Sequence, residues 1–159
     1  MRIYRYYEEQ KLPVTLENAW SFFSNPVNLV KITPPNMKFR ITNNPEEKIF
    51  SGMIITYKVS PLLNFSLNWV TEIVYADKPH YFIDEQKFGP YKFWYHRHSF
   101  TEISEGVLMK DEVYYALPFG IIGQIIHSVM IKSRLKEIFA YRREILRNIF
   151  YGRINTRVG

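Results

Sequence analysis

From Met37 to Leu117 the chain reads as one strand after another, and after Pro118-Phe119-Gly120 the alternation stops for good. The segments MKFRIT, GMIITYKVS, SLNWVTEIVYA, HYFIDEQ, FWYHRHSFTEI and VLMKDEVYYAL are rich in β-branched and aromatic residues, and NNPEE, SPLLN, ADKP, FGPY and SEG between them are turn chemistry. Strands in such close succession form an antiparallel meander. The stretch that follows places Leu135, Ile138, Phe139, Ile145, Leu146 and Ile149 on one helical face and continues to about Tyr151, long enough to cross a whole domain. Sheet and helix must therefore cover each other.

The N-terminal part adds three elements. Residues 2–10 alternate and are Tyr-rich, which predicts a strand. Thr15 is a good N-cap for a helix in which Leu16, Ala19, Trp20 and Phe23 fall at i, i+3, i+4 and i+7. Asn25-Pro26 stops that helix and caps a second short one, which Thr33-Pro34-Pro35 ends. A length of 159 residues predicts one domain, expected over residues 1–152 with 153–159 as a frayed tail. With 12 Tyr, 12 Phe and 3 Trp there is more ring surface than a small solid core needs, so a cavity between helix and sheet is expected.

Several function classes fall away. The absence of cysteine removes disulfides, thiolate metal sites and Cys nucleophiles. No run reaches the length of a membrane span, and residues 2–10 lack the apolar segment of a signal peptide, so a cytoplasmic location is expected. Residues 120–159 hold eight basic against two acidic residues, which accounts for the whole net charge of +6. Lys132, Lys136, Arg143 and Arg147 share one face of the last helix. That stripe reads first as a solvated face, with docking on RNA, a ribosome or a membrane as the alternative.

The order of elements, together with LENAWSFFSNPVNLVKITPP, FIDEQKFGPYKFWYHRHSF, MKDEVYYALPFGIIG and IFAYRREIL, resembles the START-like helix-grip superfamily over nearly the whole chain. It looks closest to the small prokaryotic proteins grouped with polyketide cyclase/dehydrase-like and coenzyme Q-binding domains. The resemblance implies an α+β helix-grip fold: a curved antiparallel sheet of about six or seven strands wrapped around a long C-terminal helix, with two short helices after the first strand. It also implies an apolar small-molecule ligand; no cofactor and no nucleic-acid partner are expected, and a membrane contact would be transient. A fold of this kind does not name its ligand or its activity.

Candidate site residues follow from strand parity. Trp94, His96, His98 and Phe100 share one face of their strand; Tyr95, Arg97, Ser99 and Thr101 share the other. If Glu102 lies opposite Val107, then Phe100 faces Met109, His98 faces Asp111, His96 faces Val113, Trp94 faces Tyr115, and Arg97 faces Glu112 as a solvent-side ion pair. The faces carrying Trp69, Thr71 and Ile73, and carrying Phe82, Asp84 and Gln86, are expected to point inward, partly because the resemblance favours them. Leu135, Ile138 and Phe139 face them from the helix. Arg142 falls inside that apolar series, so it either snorkels to water or meets Asp111, Asp84, Glu72 or an anionic ligand group. Trp20 and Phe23 read as plug or core.

Two histidines at i and i+2 can bind a metal, but Asp111 is the only evident third donor, so no metal is expected. Transport, storage or sensing of a hydrophobic small molecule leads. The alternative is a cyclase/dehydratase-like enzyme in which His98 paired with Asp111 moves protons and His96 or Tyr115 is the second acid/base group.

Overall fold

The structure, a computed structural model, describes residues 1–60, 65–120, 125 and 130–155. Its elements are β1 (Tyr4–Leu12), α1 (Leu16–Phe23), α2 (Val27–Lys31), a 3-10 turn (Pro35–Met37), β2 (Arg40–Ile41), β3 (Ile54–Val59), β4 (Leu67–Asp77), β5 (Tyr81–Phe88), β6 (Phe93–Ile103), β7 (Gly106–Ala116) and α3 (Lys132–Asn155). The seven strands form one antiparallel sheet in the order β1-β7-β6-β5-β4-β3-β2. With the long terminal helix and the short helices after β1, this is the helix-grip fold. No helix among the described residues is long and apolar enough to cross a membrane.

Local chemistry sets the boundaries. Thr15 Oγ1 accepts from the Asn18 amide at 3.2 Å, capping α1, and Asn25 Oδ1 accepts from the Val27 amide at 3.0 Å at the start of α2. The strand expected over MKFRIT shrinks to Arg40–Ile41. Pro35 opens the 3-10 turn, Lys38 is left-handed at φ 46°, and Met37 is buried against Val59 and Trp69, so the backbone turns before it can pair. The long helix begins at Lys132; residues 121–124 and 126–129, between Gly120 and that start, lie outside the described residues. α3 runs to Asn155, and residues 156–159 of the expected tail lie outside the described residues.

The register of β6 on β7 has Glu102 opposite Val107, and with it His98 opposite Asp111, His96 opposite Val113 and Trp94 opposite Tyr115. The β4–β5 ladder shifts register twice, between Val70 and Thr71 and between Ile73 and Tyr75. Such irregularities bend and twist a sheet, here in its middle, and leave a concave face for α3. One end of that face is solid: Trp20 of α1 meets Phe82 and Phe100 edge-on, and Leu12, Met109, Leu146 and Phe150 pack with them. Trp20 is thus core.

Gly106 holds the register. Its φ of +132° is hostile to side chains, and a Cβ there would run into the carbonyl of Leu12 and the Cα of Pro13. Gly106→Ala is expected to lower unfolding free energy by about 2–3 kcal/mol, from strain plus the clash with β1. Urea unfolding of the two proteins measures it.

Candidate functional site

The other end of the concave face is hollow. A cavity of about 180 Å³, measured as space open to the centre of a water molecule, lies between β3–β6, α3 and the α1–α2 segment. It exceeds what one or two waters occupy. Trp69, Thr71, Ile73, Phe82, Asp84, Trp94, His96, His98, Leu135, Ile138, Phe139 and Arg142 all line it.

Six residues expected at the cavity do not reach it. Phe100 and Met109 share the histidine face, but α1 and the C-terminal part of α3 cover them. Val113 and Tyr115 are buried with Ile131, Leu135 and Phe139. Burial pushes the Tyr115 phenol up to about 12, which keeps it protonated. Gln86 braces the β5–β6 turn, donating from Nε2 to the Tyr91 carbonyl at 2.7 Å and accepting from the Tyr91 amide at 3.2 Å. Asp111 lies beneath the histidines, with no exposure at all.

Other lining residues were not anticipated. Phe23, Pro26, Asn28, Leu29 and Ile32 roof one side, Phe39, Ile55 and Tyr57 form another, and Tyr91 and Arg134 complete the wall. Phe23 therefore has two roles, packing tilted against Phe100 with centroids 5.2 Å apart and facing the cavity. The apolar i, i+3, i+4, i+7 series of α1 was the available signal for it.

At the floor, five ionisable groups converge from β5, β6, β7 and α3. His96 Nε2 hydrogen-bonds Asp111 Oδ1 at 2.9 Å, and His98 Nε2 hydrogen-bonds Asp84 Oδ2 at 3.1 Å. His98 Nδ1 comes within 2.7 Å of Asp111 Oδ1, off the line of a hydrogen bond, and His96 Nδ1 lies 3.5 Å from Asp84 Oδ2. The two imidazoles lie against each other with centroids 3.7 Å apart, and Phe82 stacks on His98 at 4.3 Å. Arg142 Nη1 reaches to 3.7 Å from Asp111 Oδ1, with its guanidinium over the Phe139 ring. Arg142 thus turns into the protein instead of snorkelling to water.

Burial alone would raise both carboxyl groups. For Asp111 the charge of His98, the close nitrogens of both rings and the charge of Arg142 outweigh it and hold the group well below the usual carboxylate range. Asp84 is held low in the same way, by both histidines. Burial and the charge of His98 push His96 down, whereas the two carboxylates overcome burial at His98 and raise it.

Arg97 is not the partner of its cross-strand neighbour Glu112: Arg5 of β1 takes that carboxylate at 2.6 Å, and Arg97 lies over Tyr81 at 4.5 Å. Glu112 has a neighbour on each side, and the arginine on β1 wins. Lys132, Lys136, Arg143 and Arg147 are all on the exposed face of α3, and Arg143 pairs with Glu8 of β1.

No family model matches the chain, and no curated protein does. Solved structures do. Ginseng major latex-like protein 151 from Panax ginseng is 13% identical, with a TM-score of 0.68 over 93% of this chain and 97% of that one. A Mycobacterium smegmatis protein is 15% identical, with a TM-score of 0.64 over 91% and 92%. A Thermus thermophilus protein is 12% identical, with a TM-score of 0.61 over 91% and 97%. At these identities the likeness is one of fold.

The buried cluster makes a stability prediction. The unfolded chain protonates Asp111 near pH 4, whereas the folded chain resists until lower pH, so the stability that this carboxylate contributes is present above that range and is lost as pH falls through it. Asp111→Asn is expected to cost about 3–5 kcal/mol at pH 7, because it strips the buried cations of their partner. It should also flatten the acid-side decline in stability. Urea unfolding from pH 3 to 8 measures both effects.

Proposed function

We propose that the protein binds a mainly apolar small molecule carrying an oxygen-bearing end, for transport, storage or sensing. The observation that carries this reading is a cavity whose walls are mainly aromatic and aliphatic and whose floor gathers Asp84, His96, His98 and Arg142. Polar groups at one end of an apolar pocket suit a ligand with an oxygen-bearing end and fix its orientation. The surrounding Phe, Trp, Ile and Leu side chains favour a hydrocarbon or aromatic body, at about 2.5 kcal/mol for each 100 Å² of apolar surface removed from water.

A fatty acyl lipid, an isoprenoid quinone, a polyketide and an aromatic metabolite all combine such a body with carbonyl or carboxylate oxygens. The resemblance to polyketide cyclase/dehydrase-like and coenzyme Q-binding domains favours the middle two. Residues 1–152 are taken as the single domain that does this.

Titration of delipidated protein with a fluorescent long-chain carboxylic acid tests the reading. Saturable one-to-one binding is expected, weakened at least tenfold by Ile138→Trp, which fills the cavity from α3, with the circular dichroism unchanged. No binding, or binding indifferent to Ile138→Trp, overturns it.

A further inference from the structure

We propose that Asp84, His96 and His98 form a binding site for a first-row divalent transition-metal ion, open toward the cavity, with Asp111 orienting both histidines from behind. Sequence reasoning set a metal aside for want of a third donor other than Asp111. The β5–β6 pairing supplies one, because Asp84 lies directly opposite His96.

Three observations carry the proposal. The first is donor geometry. One ligand atom from each of Asp84, His96 and His98 falls in a group within 4.8 Å. Two donors about 2.1 Å from a shared ion, at about 90–110°, are about 3.0–3.4 Å apart. Asp84 Oδ2 lies 3.1 Å from His98 Nε2 and 3.5 Å from His96 Nδ1. Two of the three edges thus already have about the span a shared ion sets, and the three donor atoms lie within 4.8 Å of one another.

The second is how the rings face. One nitrogen of each ring lies toward Asp84 Oδ2 and the other toward Asp111 Oδ1, all at 2.7–3.5 Å. With an ion on the Asp84 side, His96 Nδ1 and His98 Nε2 are the ligand atoms, and His96 Nε2 and His98 Nδ1 are left on the Asp111 side.

The third is the outer shell. A ligating histidine ordinarily presents its second ring N–H to a carboxylate, and here a single buried carboxylate stands within 2.7 and 2.9 Å of the outer nitrogens of both rings. Arg142, 3.7 Å from that carboxylate, offsets its charge. Two imidazoles and one carboxylate suit zinc or ferrous iron over calcium or magnesium, and they leave coordination positions free. All three ligand residues line the cavity, so those positions face it.

The test is a titration of chelator-stripped protein with Co²⁺, read by its visible absorption bands, followed by Zn²⁺ competition. One Co²⁺ per chain is expected, displaced by one Zn²⁺. Asp84→Asn, which keeps the shape of the side chain, should weaken Co²⁺ at least 100-fold; Asp111→Asn should weaken it about 10–100-fold, as outer-shell changes do. His80→Ala, at the exposed β4–β5 turn, should leave it unchanged. No absorption change at millimolar Co²⁺ overturns the proposal, as does binding that survives Asp84→Asn with the fold intact by circular dichroism. The probe is a bare ion, so the result is separate from whether the cavity takes an apolar ligand.

Discussion

A carboxylate wholly out of water is the constraint around which this protein is arranged. Burying Asp111 alone would cost several kcal/mol, and it is tolerable only because cations and N–H donors meet it. Those groups come from two directions: His96 and His98 from the neighbouring strand, and Arg142 from the helix that crosses the sheet. The same contacts therefore fix the register of β6 on β7 and the seat of α3 on the sheet. A slip of one residue would turn Asp111 to the outer face and Glu112 inward, to a place built for a different length of side chain.

The cluster also divides the interior. On its α1 side, Trp20, Phe82, Phe100, Met109 and Leu146 close into a solid core. On the other, Trp69, Thr71, Trp94, Ile138 and Phe139 line the cavity. A hollow is costly in a protein interior, because its walls forgo the contacts that close packing provides. Here the walls are braced by aromatic contacts, Trp69 against Tyr57, Tyr91 and Trp94, and by a 2.7 Å hydrogen bond between the Tyr57 and Thr71 hydroxyls. Such bracing holds space open for something other than protein.

Much of this was legible in the residues. Period-two alternation and the Ser104-Glu105-Gly106 turn were enough to set His98 against Asp111, because register between adjacent strands is a local matter. Parity named the face of Phe100, Met109, Val113 and Tyr115 correctly, but it says nothing of what covers a face, and α1 and α3 cover theirs. Asp84 was assigned to the inward side, yet its approach to both histidines depends on β5–β6 pairing across the FGPY turn, where spacing alone did not set the register. The roof from Phe23 to Ile32 was missed for a related reason. An amphipathic helix shows which side is apolar, whereas whether that side meets a solid core or an opening depends on the curvature of a distant sheet.

The most direct test of the account is native mass spectrometry of the protein purified from its own cells, followed by extraction and identification of what it releases. The account predicts one hydrophobic molecule per chain, bearing at least one acceptor oxygen. A folded protein that leaves those cells empty, and stays empty when offered their lipid extract, would contradict it.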